Sequence, residues 1–267
     1  MQVPMKVAVA GATGRVGRHV VDVLECRGHD VVAMSRSQGV DVVTGAGLAE
    51  ALTGVECIVD VSTGPSPEET EATQFFHSAA RNLHEYGTRA GVQRMIVVSI
   101  IGTDRYTAGY GAAKHAHEQA ALSGPIPARV LRAAQFHEFV GQLVDWGTQG
   151  DVAYVQNMRT QLVAARSVAE ALADLATDPS SKPALTSTPI SEIAGPRAEN
   201  LVDMATLLVA RRGDALRIEG VSNPDDPDVN VYASGALLPG PHAILAGPAF
   251  EEWLGSHAFQ EWLAATS

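Results

Sequence analysis

Short apolar runs rich in β-branched residues alternate with longer segments of helical periodicity through the first half of the chain. Val7–Ala10, Asp30–Met34, Cys57–Val61, Arg94–Ile100 and Ala128–Leu131 read as strands, with Asp41–Val43 as a short additional one. Val16–Leu24 places Val16, Val20, Val23 and Leu24 on one side and reads as a helix. Leu48–Leu52, Glu68–Ala90 and Ala108–Leu122 read as helices closed by Gly54, Gly91 and Gly124-Pro125. The strand runs do not alternate with polar residues, as expected of strands covered on both faces. The pattern predicts an α/β fold, a doubly wound parallel sheet with helices on both sides.

Beyond about residue 140 the rhythm weakens. Phe139–Trp146, Ser167–Thr177 and Leu201–Arg211 read as helices and Leu216–Glu219 as a strand. Asn223–Asp228 reads as an acidic turn, and Phe250–Ala265 as a closing helix anchored by Trp253, Leu254 and Trp262. There is no repeat, low-complexity tract or clean linker. Residues 1–267 are therefore expected to form one domain, with a core over about 5–140 and a smaller C-terminal substrate-cap region over about 141–267.

Composition narrows the partners. The formal charge of -11 disfavours nucleic acid and anionic membranes, whose phosphates would be repelled. No apolar run approaches the roughly 18 residues of a membrane span, and no signal peptide stands at the start, so a cytoplasmic location is expected. Cys26 and Cys57 sit in apolar stretches and are expected in the core. His115 and His117 lie two apart on a helix and do not share a face, so no metal site is expected. The partner expected is a small-molecule substrate; the oligomeric state is left open.

In "GATGRVG", Gly11, Gly14 and Gly17 stand between a strand and a helix at the start of the chain. The first glycine permits a tight turn, the second lets backbone approach a pyrophosphate, and the third lets the helix pack on the strand. Gly11, Thr13, Gly14, Arg15, Val16 and Gly17 are thus candidate dinucleotide contacts, with the phosphates at a helix N-terminus. The second strand runs into Ser35-Arg36-Ser37 with no carboxylate at its end. Arg36 suits a 2′-phosphate, Ser35 and Ser37 can donate hydroxyls, and NADP(H) is expected over NAD(H).

"YGAAK" sets Tyr110 and Lys114 four apart at the start of a helix, on one face. An ammonium and a cationic nicotinamide near the phenol favour phenolate, so Tyr110 is the candidate acid/base for hydride transfer. Lys114 is expected as its partner and as a ligand of the nicotinamide ribose.

GATGRVG, "GVQRMIVVSI", YGAAK and "ARVLRAAQFHEFV" occur in that order. Over about Met5–Val140 the chain resembles the atypical short-chain dehydrogenase/reductases, in particular the NmrA-like NAD(P)-binding branch. The resemblance implies a Rossmann-type fold, with Tyr110 and Lys114 catalytic and with Ser62, Thr63 and Gly64 along the cofactor. It also implies Phe136 and His137 near the nicotinamide or substrate. The positions of the family's usual serine hold Ile100 and Ile101, which leaves Ser99 or Thr103 to supply a hydroxyl. The family's "GD" pair is absent, since Ala46 follows Gly45. The resemblance implies an NADP(H)-dependent oxidoreductase acting on a small carbonyl, quinone or alcohol. Its alternatives are an NADP-sensing regulator without catalysis, as in members lacking a working triad, and a nucleotide-sugar epimerase or dehydratase.

Overall fold

The computed structural model describes residues 3–178 and 188–266. In chain order the elements of the first half are β1 (Lys6–Ala10), α1 (Gly17–Cys26), β2 (Asp30–Met34), α2 (Leu48–Ala51), β3 (Cys57–Asp60), α3 (Glu69–Ala90), β4 (Arg94–Ile100), α4 (Gly109–Ser123) and β5 (Ala128–Ala133). There follow α5 (His137–Gly147), β6 (Thr148–Gln149), β7 (Val152–Gln156), β8 (Arg159–Thr160), α6 (Ala165–Thr177), β9 (Ile190–Ala194) and β10 (Glu199–Asn200). The chain closes with α7 (Leu201–Arg212), β11 (Arg217–Val221), α8 (Val229–Ala233), β12 (Ile244–Leu245), α9 (Phe250–Leu254) and α10 (His257–Thr266). It divides into two units, one of residues 1–132 and 168–191, the other of 133–167 and 192–267. The division thus falls after Arg132, and most of α6 belongs to the first unit.

The first unit is a Rossmann-type layer. Its strands lie in the order β5-β4-β3-β1-β2. β1 pairs parallel with β2 from Lys6↔Asp30 to Ala10↔Met34, and with β3 from Val7↔Cys57 to Ala10↔Asp60. β3 in turn pairs parallel with β4. Because β2 and β3 flank β1, the strand order reverses there, and a crevice opens past the carboxyl ends of β1 and β3. The pleat sends Ala8, Ile58, Met95 and Val97 to a core with Met34, Leu48, Leu52 and Leu83. Phe76 of α3 and Ala113 of α4 form a smaller apolar cluster, against which Tyr110 packs.

Asp41–Val43, expected as a strand, is a turn. The Asp41 carboxylate accepts from the Val43 N–H (2.8 Å), and Asn82 Nδ2 donates to the carbonyls of Val42 (2.9 Å) and Val43 (2.7 Å). Side chains thus satisfy the backbone groups that a ladder would have used. Cys57 is buried in β3, and burial pushes its thiol up to about 12. Cys26, also expected in the core, is exposed at the last residue of α1.

In the second unit β6, β7 and β11 form a small sheet, with β7 and β11 parallel. The closing helix is two helices. At the break the Ser256 hydroxyl donates to the Trp253 carbonyl (2.7 Å) and accepts from the Phe259 N–H (3.3 Å), as an N-cap does. Trp253, Phe259 and Trp262 pack together, with ring centroids 5.2 to 5.7 Å apart. Among the described residues no helix is long and apolar enough to cross a membrane.

Candidate active site

The β1–α1 turn is shaped by glycine. Gly11 leaves β1 at φ +81°, a region that L side chains rarely enter, and its N–H donates to the Met34 carbonyl (3.0 Å). A Cβ at Gly11 would lie 2.8 Å from Ser62 Cα, so the turn presses against the loop after β3. A Cβ at Gly17 would overlap the Gly11 carbonyl oxygen and lie 2.9 Å from Ala12 Cα. Gly14 is less confined; its added Cβ would stand 3.1 Å from that same oxygen. The three positions therefore do different things. Gly11 and Gly17 hold the turn and helix together, and Gly14 leaves the outer surface bare.

At the end of β2, Ser35, Arg36 and Ser37 enter a turn of 3-10 helix, with Arg36 and Ser37 exposed. The Ser35 hydroxyl lies 2.9 Å from that of Ser37 and donates to Gln38 Oε1 at 2.9 Å. The turn thus gathers two hydroxyls and a guanidinium past the strand end, with no carboxylate among the three.

Tyr110 and Lys114 stand on the first turns of α4. The Tyr110 hydroxyl and Thr63 Oγ1 are hydrogen-bonded at 3.1 Å. Burial holds the phenol above its ordinary value, and the Thr63 hydrogen bond only partly opposes this. The expected lowering by Lys114 is thus not found, because the lysine is engaged elsewhere. Lys114 is buried; its Nζ donates to the Val98 carbonyl (2.8 Å) and to His117 Nδ1 (3.0 Å). It lies 4.6 Å from the centre of the Phe76 ring. Burial lowers it to about 8, against the carboxylates of Asp60 and Glu118.

His117 and Asp60 continue this chain inward. His117 Nε2 lies 3.0 Å from Asp60 Oδ2, and the imidazole stacks on Phe76 at 4.5 Å. Asp60 Oδ1 accepts from the Ser62 hydroxyl (2.6 Å) and the Ser62 N–H (2.9 Å). Burial opposes ionisation of Asp60, yet the hydrogen bonds from His117 and Ser62 hold its carboxyl below the usual range. Burial, then the Lys114 charge, keeps His117 below its ordinary value. The sequence points to neither Asp60 nor His117 as site residues. The available signal is the spacing of His117, three after Lys114, on the buried face of α4.

The candidate hydroxyls at the end of β4 serve a second cluster. Thr103 Oγ1 donates to Glu118 Oε1 (3.0 Å), and Arg132 grips the same carboxylate through Nε (2.9 Å) and a terminal nitrogen (2.7 Å). Arg132 also pairs with Asp104 at 2.7 Å. Ser99 is buried beside Glu118. Among the described residues neither Ser99 nor Thr103 is hydrogen-bonded to Tyr110; the hydroxyl that meets the phenol is that of Thr63.

In the second unit, Phe136 precedes α5 and pairs with Val163 as an isolated bridge. His137 is fully buried. Its Nε2 lies 3.0 Å from the Pro248 carbonyl oxygen, and its ring packs on Phe250 (5.3 Å) and Trp253 (5.4 Å). Burial lowers it to about 4. These are the surroundings of a core side chain. The same unit holds an open cavity of about 440 Å³ lined by Arg159, Arg197, Glu199, Asp203 and Glu251.

Residues 11–179 match the family model described as NAD(P)H-binding. The chain belongs to the NAD(P)H-binding family. No curated protein matches it. Solved structures share its fold over nearly the whole chain at low identity. MoeE5 in complex with UDP-glucose and NAD has a TM-score of 0.71 and 19% identity, covering 98% of this chain and 99% of that one. dTDP-4-dehydrorhamnose reductase from Bacillus anthracis in complex with NADP has 0.72 and 14%, covering 97% and 100%. A short-chain dehydrogenase/reductase superfamily protein from Agrobacterium tumefaciens with bound NAD has 0.67 and 16%, covering 98% and 99%.

The residues present fit the cofactor that this NAD(P)H-binding family implies. Gly11, Gly14 and Gly17 leave bare backbone at the N-terminus of α1, beside the point where the strand order reverses. A pyrophosphate is suited to that place, where peptide N–H groups and the positive end of the helix dipole converge.

Proposed function

We propose that the protein is an NADP(H)-dependent oxidoreductase that reduces a small carbonyl or quinone, or oxidises the matching alcohol. The observation that carries this reading is the placement of the Tyr110 phenol, hydrogen-bonded to Thr63 on the loop after β3, with buried Lys114 one turn further along α4. The backbone of Gly11, Thr13, Gly14, Arg15, Val16 and Gly17 would hold the pyrophosphate. Ser35, Arg36 and Ser37 would hold the 2′-phosphate, and Ser62, Thr63 and Gly64 would flank the nicotinamide half. The nicotinamide supplies or takes up hydride. Tyr110, whose phenol burial keeps protonated, would donate its proton to the oxygen that becomes an alcohol, and its phenolate would take that proton back in the reverse direction. Thr63 orients the phenol and would supply the hydroxyl expected of Ser99 or Thr103. Lys114, one turn further along α4, would hold the nicotinamide ribose hydroxyls.

Tyr110→Phe tests this. Turnover across carbonyl and quinone panels should fall by about 100-fold or more, while NADPH affinity stays within about twofold. The rival reading is an NADP-sensing regulator, favoured by Ile100 and Ile101 at the usual serine positions. It requires NADPH binding with no turnover in the wild type. A nucleotide-sugar substrate is the third outcome that the panels should include.

A further inference from the structure

Polar side chains rarely line the buried face of a helix unless each finds a partner. On α4 that face carries Lys114, His117 and Glu118 between Ala113 and Ala121. Glu118 is neutralised by Arg132. Lys114 and His117 form a separate line that ends at Asp60.

The donors and acceptors along the line fix its proton positions. An ammonium has no acceptor, so His117 Nδ1 accepts from Lys114 Nζ. The imidazole N–H then lies on Nε2 and donates to Asp60, whose other oxygen is occupied by two donors of Ser62. A doubly protonated imidazole would turn an N–H toward the ammonium. The charge of Lys114 is therefore balanced by Asp60 through a neutral histidine, with Phe76 excluding water from one side. The groups that face Lys114 are Asp60 from β3, the Val98 carbonyl from β4, the Phe76 ring from α3, and His117 and Glu118 from α4 itself.

We propose that Asp60 and His117 are positioning residues that act through Lys114, fixing its rotamer and keeping it charged one turn along α4 from the catalytic tyrosine. This rests on the assignment of Tyr110 and Lys114 above. The hydrogen-bonded line itself is tested without cofactor or substrate.

Full-length protein carrying labelled histidine and lysine is followed by NMR from about pH 5 to about pH 9. The expected result is a His117 ring that is neutral at pH 7 with its proton on Nε2, and a Lys114 Nζ that titrates near 8. The chain has three lysines, so Lys114→Arg identifies the signal. His117→Gln offers one acceptor and one donor in the same order and should keep the Lys114 titration in place. His117→Leu and Asp60→Asn should move it to lower pH by about one unit or more. A proton on His117 Nδ1 in the wild type would overturn the proposal, whether or not any variant folds. So would equal Lys114 titrations in the Gln and Leu variants. NADPH binding, measured alongside by calorimetry, separates the two levels. If it is absent while the His117 and Lys114 results hold, the cofactor assignment fails and the hydrogen-bonded line stands.

Discussion

Gly17→Ala is the sharpest probe of the dinucleotide turn. The new Cβ would overlap the Gly11 carbonyl oxygen and crowd Ala12 Cα at 2.9 Å. Both obstacles are backbone, so no side-chain rotation relieves them. Ordinary contact is regained only if the start of α1 and the turn separate by about 1 Å. Overpacking of this kind costs about 1–3 kcal/mol, a fall of several degrees in melting temperature at about 2–4 °C per kcal/mol. The same displacement breaks alignment with bound phosphates, and one lost charge-assisted hydrogen bond of about 1.5–3 kcal/mol weakens NADPH at least tenfold. Gly14→Ala is the control. Its Cβ would stand 3.1 Å from the same oxygen, so the fold should accept it with little change in melting. Its methyl would still lie on the surface assigned to the pyrophosphate and should weaken binding. Thermal melts and NADPH fluorescence titrations give both readouts. If Gly17→Ala melts with the wild type and binds NADPH within about twofold, the turn does not cradle a dinucleotide.

Arg36→Glu should weaken NADPH by about tenfold or more and leave NADH almost unchanged, since only the 2′-phosphate meets the guanidinium; equal effects on the two would refute that contact. Glu118→Gln leaves Arg132 with Asp104 as its remaining carboxylate and should cost about 1.5–3 kcal/mol in chemical unfolding, whereas Glu85→Gln, which breaks an exposed pair, should cost under about 0.5 kcal/mol. His137 is lowered from 6.5 to about 4 in the folded protein, so the unfolded chain binds the extra proton first. Stability should therefore fall as pH drops from 6.5 toward about 4, and His137→Leu should flatten that part of the unfolding profile. Glu118 is lowered from 4.5, so its contribution is present above the ordinary carboxylate range and is lost at more acid pH, below the histidine window.

What could be read from the chain depended on how local its cause was. The GATGRVG turn was legible because a strand, three spaced glycines and a helix start lie within twenty residues. Tyr110 and Lys114 were legible because four residues make one helical turn. The link from Asp60 to His117 spans 57 residues and exists only because β3 lies beside β4 and α4 packs along α3. Thr63 was placed on the cofactor loop by resemblance; its hydrogen bond to Tyr110 depends on the same long-range packing. The short apolar run at residues 41–43 carried a strand signal, but Asp41 and Asn82 took its backbone partners. Continuous periodicity from Phe250 to Ala265 likewise hid the Ser256 cap.

Helix α4 shows why the chemistry and the hydrophobic pattern separate. Its interior stripe runs Tyr110, Ala113, Lys114, His117, Glu118 and Ala121, where an ordinary packed helix would place leucine or valine. Lys114, His117 and Glu118, the buried ionisable groups of that stripe, carry a desolvation cost that apolar residues would avoid. The fold offsets it with Asp60 on one line and Arg132 with Thr103 on the other. Such a stripe adds little to stability over apolar packing, so its use lies in setting charge at fixed places. Tyr110 stands at the end of that stripe with its hydroxyl bonded to the loop after β3, so the proposed acid/base function would draw on charge that the rest of the stripe holds in place.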